Sequence, residues 1–330
     1  MAVCNVRWAM WAVPTPGSRP SQRHTCCIAE MGSLGKSAEA TAVAAGGLAI
    51  VGRSWNANGI EHGFRWTPSG GTEDLGTIDG HATSRSGASG VSADGSIVVG
   101  YTLDTLGRKT AFRWTPEEGM IGLEALGGRV DHARAVSADG RVIVGELTTQ
   151  KGASRAVRWS QSAGTLDLGH LGGEYAAANG VSADGWVVVG WSRRRTGHSR
   201  AFRWTAADGM YDLGTLGGVY SVATATSADG GVVIGHSTNA LGHTRAFRWS
   251  HATGMVDLGT LGGRSARARG ISADGVVIVG ASLDDGERSR SFRWTASGGM
   301  HSLHTSDDAS SQGLGVSPDG AVIVGRSYDW

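Results

Sequence analysis

The chain has 330 residues and a formal net charge of +1, with 18% charged and 40% hydrophobic residues and no run of eighteen apolar residues. That apolar content can offset the entropy of ordering, so a disordered chain is excluded, and the missing apolar stretch excludes a transmembrane helix. Glycine stands out at 54 residues but follows no three-residue period, which excludes collagen, and the even charge argues against a general nucleic-acid binder.

Residues 1–30 read as an irregular N-terminal segment. The apolar stretch from Val6 to Val13 is broken by Arg7 and followed by Pro14 and Pro16. A secretory signal needs an uninterrupted apolar core behind a basic start, so this segment is not one as it stands. Either the protein is cytoplasmic or its export signal lies outside this chain; the second reading is preferred. Cys4, Cys26 and Cys27 are too few and too poorly spaced for a disulfide framework or a zinc site.

Residues 31–330 read as one repeat domain. A phenylalanine or valine followed by Arg-Trp ends at Trp66, Trp114, Trp159, Trp204, Trp249 and Trp294. The turn phrase S-[AP]-D-G places Asp94, Asp139, Asp184, Asp229, Asp274 and Asp319 at equal intervals, and a β-branched phrase ending in glycine recurs from Gly52 to Gly325. A fixed period of roughly 45 residues is the mark of a solenoid, propeller or array.

The unit at residues 200–237 contains four short strands. Ala201 to Thr205 alternates aromatic and polar; Ala206 to Gly209 is a turn; Met210 to Gly214 is the return strand. Leu216-Gly217-Gly218 breaks the pattern, Ala223 to Ser227 is the third strand, Ala228-Asp229-Gly230 is a hairpin turn, and Val232 to Gly235 is the fourth strand. Four antiparallel strands in about 45 residues make one propeller blade. A parallel β-solenoid is the competitor, and it has no need of the two tight turns in every unit.

The predicted fold is therefore an all-β propeller of four-stranded antiparallel blades. Seven blades are expected, the first degenerate: residues 31–52 form a half-unit whose missing strand is Asn5-Val6-Arg7-Trp8. Six blades plus a frayed N-terminal half is the alternative. Tyr328-Asp329-Trp330 is expected to run towards the first blade.

The repeated tryptophans are read as filler between blades. The arginines before them, Arg65 through Arg293, need acceptors if buried, and the turn aspartates or Asp74, Asp167, Asp212 and Asp257 are candidates. An anion-binding central channel lined by those arginines is the sharper alternative. One aspartate per blade cannot supply the six to eight converging oxygens of a calcium site, so no metal is expected. The histidines are scattered and no nucleophile elbow, zinc helix or phosphate loop occurs; no catalytic residue and no cofactor is assigned.

Strand direction puts the S-A-D-G turn and the T-x-x-x-G turn on one face of the ring. The other two connections, which differ between copies, fall on the opposite face. Recognition is placed on such loops. The candidate ligand-binding residues are Arg193, Arg194, Arg195, His198, Tyr175, Tyr220 and His243; a solvated loop is the bland alternative.

The phrases around Phe64-Arg65-Trp66, Asp212-Leu213-Gly214-Thr215-Leu216-Gly217-Gly218 and Gly270-Ile271-Ser272-Ala273-Asp274-Gly275 resemble the HAF repeat family over residues 31–327. The family's His-Ala-Phe survives only as His62-Gly63-Phe64; elsewhere Thr110, Arg155, Arg200, Arg245 or Arg290 takes the histidine position. The resemblance implies a bacterial extracellular or cell-surface protein, in some members an autotransporter passenger. The expected function is a non-enzymatic, monomeric scaffold binding a protein or glycan through its variable loops. A secreted glycan-acting enzyme with clustered carboxylates at the ring axis, and a purely structural passenger, are the alternatives.

Overall fold

The computed structural model describes residues 6–12, 28–30, 33–123, 129–303 and 310–328. Cys4, Cys26, Cys27, His304, Asp329 and Trp330 lie outside the described residues.

The chain is an all-β propeller of four-stranded antiparallel blades. Six blades each use four consecutive strands. They are β3 (Gly35–Val43), β4 (Ile50–Asn56), β5 (Glu61–Thr67) and β6 (Gly71–Asp74); then β7 (Arg85–Val91), β8 (Val98–Leu103), β9 (Lys109–Thr115) and β10 (Gly119–Gly122). The third comprises β11 (Arg129–Val136), β12 (Val142–Thr148), β13 (Ser154–Ser160) and β14 (Gly164–Asp167). The fourth comprises β15 (Gly172–Val181), β16 (Val188–Arg194), β17 (Ser199–Thr205) and β18 (Gly209–Asp212). The fifth comprises β19 (Gly217–Thr226), β20 (Val232–Asn239), β21 (Thr244–Ser250) and β22 (Gly254–Asp257). The sixth comprises β23 (Gly262–Ile271), β24 (Ile278–Asp284), β25 (Ser289–Thr295) and β26 (Gly299–Ser302). A further four-stranded sheet is composite. It joins β1 (Val6–Ala12) and β2 (Ile28–Glu30) to β27 (Ser310–Val316) and β28 (Val322–Tyr328), in the order β2-β1-β28-β27.

Two expectations are corrected here. The half-unit at 31–52 is no degenerate blade, because β3 and β4 are completed by β5 and β6. The strand at the N-terminus pairs with β28 instead, with Val6 opposite Tyr328 and Trp11 opposite Ile323. That register matches Trp294 opposite Ile278, so Ala9-Met10-Trp11, and not the Arg7-Trp8 pair, occupies the F-R-W position. The repeat unit and the blade are also out of phase. The 200–237 unit straddles two blades, whose innermost strand is the one ending in S-A-D-G. That strand starts earlier than its hydrophobic pattern suggests, since Gly217 already pairs with Asn239.

Every inner strand carries a β-bulge before its turn, as between Ala178 and Gly180 or Ala223 and Ala225. The bulge pushes a backbone carbonyl against the neighbouring strand, and the glycine of the V-V-G phrase makes room for it. A Cβ on Gly235 would be driven into the Val222 carbonyl oxygen and would meet the Phe247 ring at 2.9 Å. Phe64, Phe112, Phe202, Phe247 and Phe292 sit opposite these glycines, fully buried. Each such ring contributes about 1.5–3 kcal/mol of apolar burial.

Tryptophans fill the clefts between blades. Trp249 packs with Val187, Val189 and Val233, and Trp204 with Val142, Val144 and Val188. The arginine before the tryptophan finds a partner the sequence does not reveal. Arg65, Arg158 and Arg203 donate Nε–H to the carbonyls of Gly95, Gly185 and Gly230 in the next blade's turn, at 2.9, 3.0 and 3.1 Å. The D-L-G aspartates serve another position: Asp74 faces His62 at 2.9 Å, Asp167 faces Arg155 at 4.0 Å and Asp257 faces Arg245 at 2.9 Å. His62 thus stands where Arg155 and Arg245 stand in the third and fifth blades, each facing the carboxylate of its own blade.

The S-A-D-G turns link the blades directly. In each, the serine hydroxyl donates to the aspartate two residues on, as Ser182 does to Asp184 at 2.5 Å. Those bonds hold the carboxyls of Asp94, Asp184 and Asp229 below their ordinary range. The alanine N–H then bonds to the next blade's alanine carbonyl, from Ala45 to Ala93 and onward through Ala138, Ala183, Ala228 and Ala273 to Pro318.

Two substitutions test this account by chemical denaturation. Gly235→Ala is expected to destabilise the fold by about 2–4 kcal/mol through the blocked bulge. Glu287, the one non-glycine at positive φ among the described residues (φ 58), holds the position occupied by Gly197 and Gly242 in sister hairpins. Glu287→Gly is expected to stabilise by about 1 kcal/mol.

Candidate functional site

The antiparallel meander alternates strand ends, so the β16–β17 and β20–β21 hairpins share one face with the D-L-G-x-L-G-G connections. The hairpins share one geometry although their sequences differ. Their first and fifth residues bond across the turn: Asn56 with Ile60, Asp104 with Arg108, Arg194 with His198, Asn239 with His243. Asn56, Asp104, Asn239 and Asp284 also cap the turn with a side-chain oxygen accepting two backbone N–H groups. Arg194 cannot do this. Its guanidinium instead spans to Asp212 at 2.8 Å, taking the carboxylate that elsewhere serves the histidine or arginine position. Arg200, displaced from that carboxylate, donates to the Val219 carbonyl of the next blade.

The candidate residues are only partly brought together. Arg193 lies over the Tyr175 ring at 4.8 Å, a cation–π pair in which Tyr175 keeps 38% of its surface exposed. Arg195 and His198 are exposed in the turn beside them. Tyr220 belongs to the next blade, edge-on to His236 at 5.8 Å, and His243 is half-buried at the end of that blade's turn. The cluster is therefore Tyr175, Arg193, Arg194 and Asp212, with Arg195 and His198 at its rim.

A second set of residues was not anticipated. An axial cavity of about 260 Å³ is lined by three successive residues from each of β3, β7, β11, β15, β19, β23 and β27. The middle strands show the pattern: Arg134 to Val136, Asn179 to Val181, Thr224 to Thr226. The first residue of each trio is the bulged one, and it alone varies strongly, running Thr41, Ser89, Arg134, Asn179, Thr224, Arg269 and Leu314. Its flanks are alanine or glycine because neighbouring inner strands nearly touch; a Cβ on Gly180 would lie 3.0 Å from Ala225 Cα. The signal was present in the sequence as one variable position inside a recurring [AG]-x-[AG] phrase.

Bulged side chains reach the next blade. Thr41 Oγ1 donates to Ala88 O at 2.9 Å, Asn179 Nδ2 to Ala223 O at 2.8 Å and Thr224 Oγ1 to Ala268 O at 3.0 Å. Ser89 Oγ lies 2.8 Å from His132 Nε2. The F-R-W arginines are absent from the lining, and so are Asp and Glu. Among the described residues no group of three His, Cys, Asp or Glu side chains is placed to hold a metal ion, and no helix is long and apolar enough to cross a membrane.

Burial pushes His132 and His236 down to about 3; Arg134 and Lys109 add to this at His132, and Arg267 and Arg269 at His236. Their folded pKa lies below the unfolded value of about 6.5, so the unfolded state binds protons first as the pH falls. The stability they confer is complete above about pH 6.5 and is lost on acidification towards 3. Replacing both histidines with glutamine is expected to flatten the loss of denaturation midpoint between pH 6.5 and 4.

No family model matches the chain, and no curated protein matches it. Solved structures do. A TolB structure from Agrobacterium tumefaciens, described as putative, aligns at 14% identity over 73% of this chain and 88% of that one, with a TM-score of 0.53. TolB from Acinetobacter baumannii aligns at 14% identity over 88% of this chain and 63% of that one, TM-score 0.52. A puromycin hydrolase aligns at 15% identity over 99% of this chain and 57% of that one, TM-score 0.58. At these identities the likeness is one of fold: this chain shares the β-propeller architecture of those proteins.

Proposed function

We propose that this chain is a non-enzymatic, monomeric binding scaffold, exported to the cell surface or beyond, that holds a protein or glycan partner on its hairpin face. The observation carrying this reading is the stacked Tyr175–Arg193 pair beside the Arg194–Asp212 bridge. Both arginines are held by neighbours on a hairpin of fixed geometry, so little side-chain freedom is lost when a partner docks. Tyrosine and arginine are also the residue types that most often dominate recognition surfaces. Export follows from the resemblance to the HAF repeat family. The composite sheet is read as the closing blade, which makes the ring seven-bladed.

The glycan-acting alternative expects a pair of carboxylates at the axis, one acid and one base or nucleophile. The axial lining offers arginine, asparagine and hydroxyls instead, so the observations favour the scaffold.

A glycan array and a surface-protein panel probed with the purified chain test the proposal. For any ligand found, Arg193→Ala with Arg194→Ala and Tyr175→Ala is expected to weaken binding at least tenfold while leaving the melting temperature within about 3 °C, because these side chains are exposed. Unchanged binding in that triple variant removes the hairpin face from the account.

A further inference from the structure

The bulged position gives the axial cavity its chemistry. Thr41, Asn179 and Thr224 bond to the next blade's carbonyls; Arg134 and Arg269 are the cationic residues of the lining, and no carboxylate is among the lining residues. The two arginines stand on nearly opposite walls. From β11 the ring passes β15 and β19 to reach β23 in three steps, and returns through β27, β3 and β7 in four. Arg134 donates Nη2–H to Glu146 at 3.0 Å, outside the lining, while its buried Nε–H has no partner.

Guanidinium groups present several N–H donors in a planar fork that fits carboxylate and phosphate oxygens. A site walled by backbone and small side chains screens charge less than open solvent does, so both charges act on whatever occupies it. The volume, about 260 Å³, falls below the range of roughly 300–1,000 Å³ typical of drug-sized ligands, which limits the occupant to a small molecule. Burial chiefly, and then nearby cations that include Arg134 at His132 and Arg269 at His236, disfavour the charged imidazoles, so both arginines bring positive charge to the surroundings of the lining.

We propose that the axial cavity is a binding site for one compact, doubly charged oxyanion, held between Arg134 and Arg269. This site is separate from the hairpin face and does not depend on what binds there. Inorganic phosphate and a short dicarboxylate present the same chemistry, and the experiment separates them.

The full chain is titrated with sodium phosphate and, in parallel, sodium malonate, each against sodium chloride at matched ionic strength, with binding read by calorimetry and thermal melting. At least one anion is expected to bind saturably and to raise the melting temperature above the chloride control. Arg134→Gln with Arg269→Gln is expected to weaken that binding at least tenfold. Leu314→Asp, which adds a carboxylate to the wall and leaves both arginines in place, is expected to do the same, and Lys151→Gln on a distant hairpin to leave it unchanged. If the double arginine variant does not fold, Leu314→Asp decides alone. A response no larger than chloride for both anions overturns the proposal, as does full affinity in Leu314→Asp.

Discussion

The structure depends on a space where no Cβ can stand. In each blade the glycine of the V-V-G phrase accepts the carbonyl of the bulged inner strand, as Gly235 accepts that of Val222. Because the strand bulges, one residue leaves the ladder and lies on the axis, and its flanking alanines and glycines let neighbouring inner strands approach closely. The phenylalanine opposite the glycine closes the space from the other side. Core, axis and inter-blade contact thus follow from one residue that lacks a side chain.

This constraint separates two kinds of variability. On the hairpin face, sequences differ but the backbone does not, because asparagine, aspartate, threonine and glycine serve the same turn. The fourth blade departs from its sisters: Arg194 gives up capping and bridges to Asp212, and Arg200 turns to the next blade. At the axis, the bulged position varies within a backbone that cannot. Both surfaces are fixed frames with exchangeable side chains, one spread over the hairpins and the other drawn in around the axis.

Blade content was legible in the sequence because turn chemistry is local. Ser182-Ala183-Asp184-Gly185 specifies its own hairpin through hydrogen bonds within five residues. The phase of the blade was not legible, since a four-stranded meander repeated in tandem reads equally well from any strand. The acceptors of Arg158 and Arg203 were missed because a glycine carbonyl leaves no mark in the residue types. The bulge was hidden for a related reason: nothing in the residue types of Ala177-Ala178-Asn179-Gly180 marks an extra residue, and only the shifted register shows it. The hairpin cluster was half legible. Arg193 and Arg194 stand out as charge, while Asp212 joins them from eighteen residues away.

The backbone bonds between turns run in one direction, each alanine donating to the following blade, and they stop at Pro318, which has no N–H to give. Within the strands of the seam between β28 and β3, Glu39 accepts from Arg53 of its own blade at 2.9 Å and from Arg326 at 3.1 Å, and Val322 and Val324 pack against the first blade's core. The composite sheet, which pairs both chain ends, lies on that same seam. That seam is therefore held by apolar packing and a charge pair, where the other seams have apolar packing and an amide bond between turns. Salt weakens a partly exposed charge pair more than it weakens an amide hydrogen bond. Ionic strength accordingly acts on the seam between β28 and β3 in a way that it does not act on the amide links between turns.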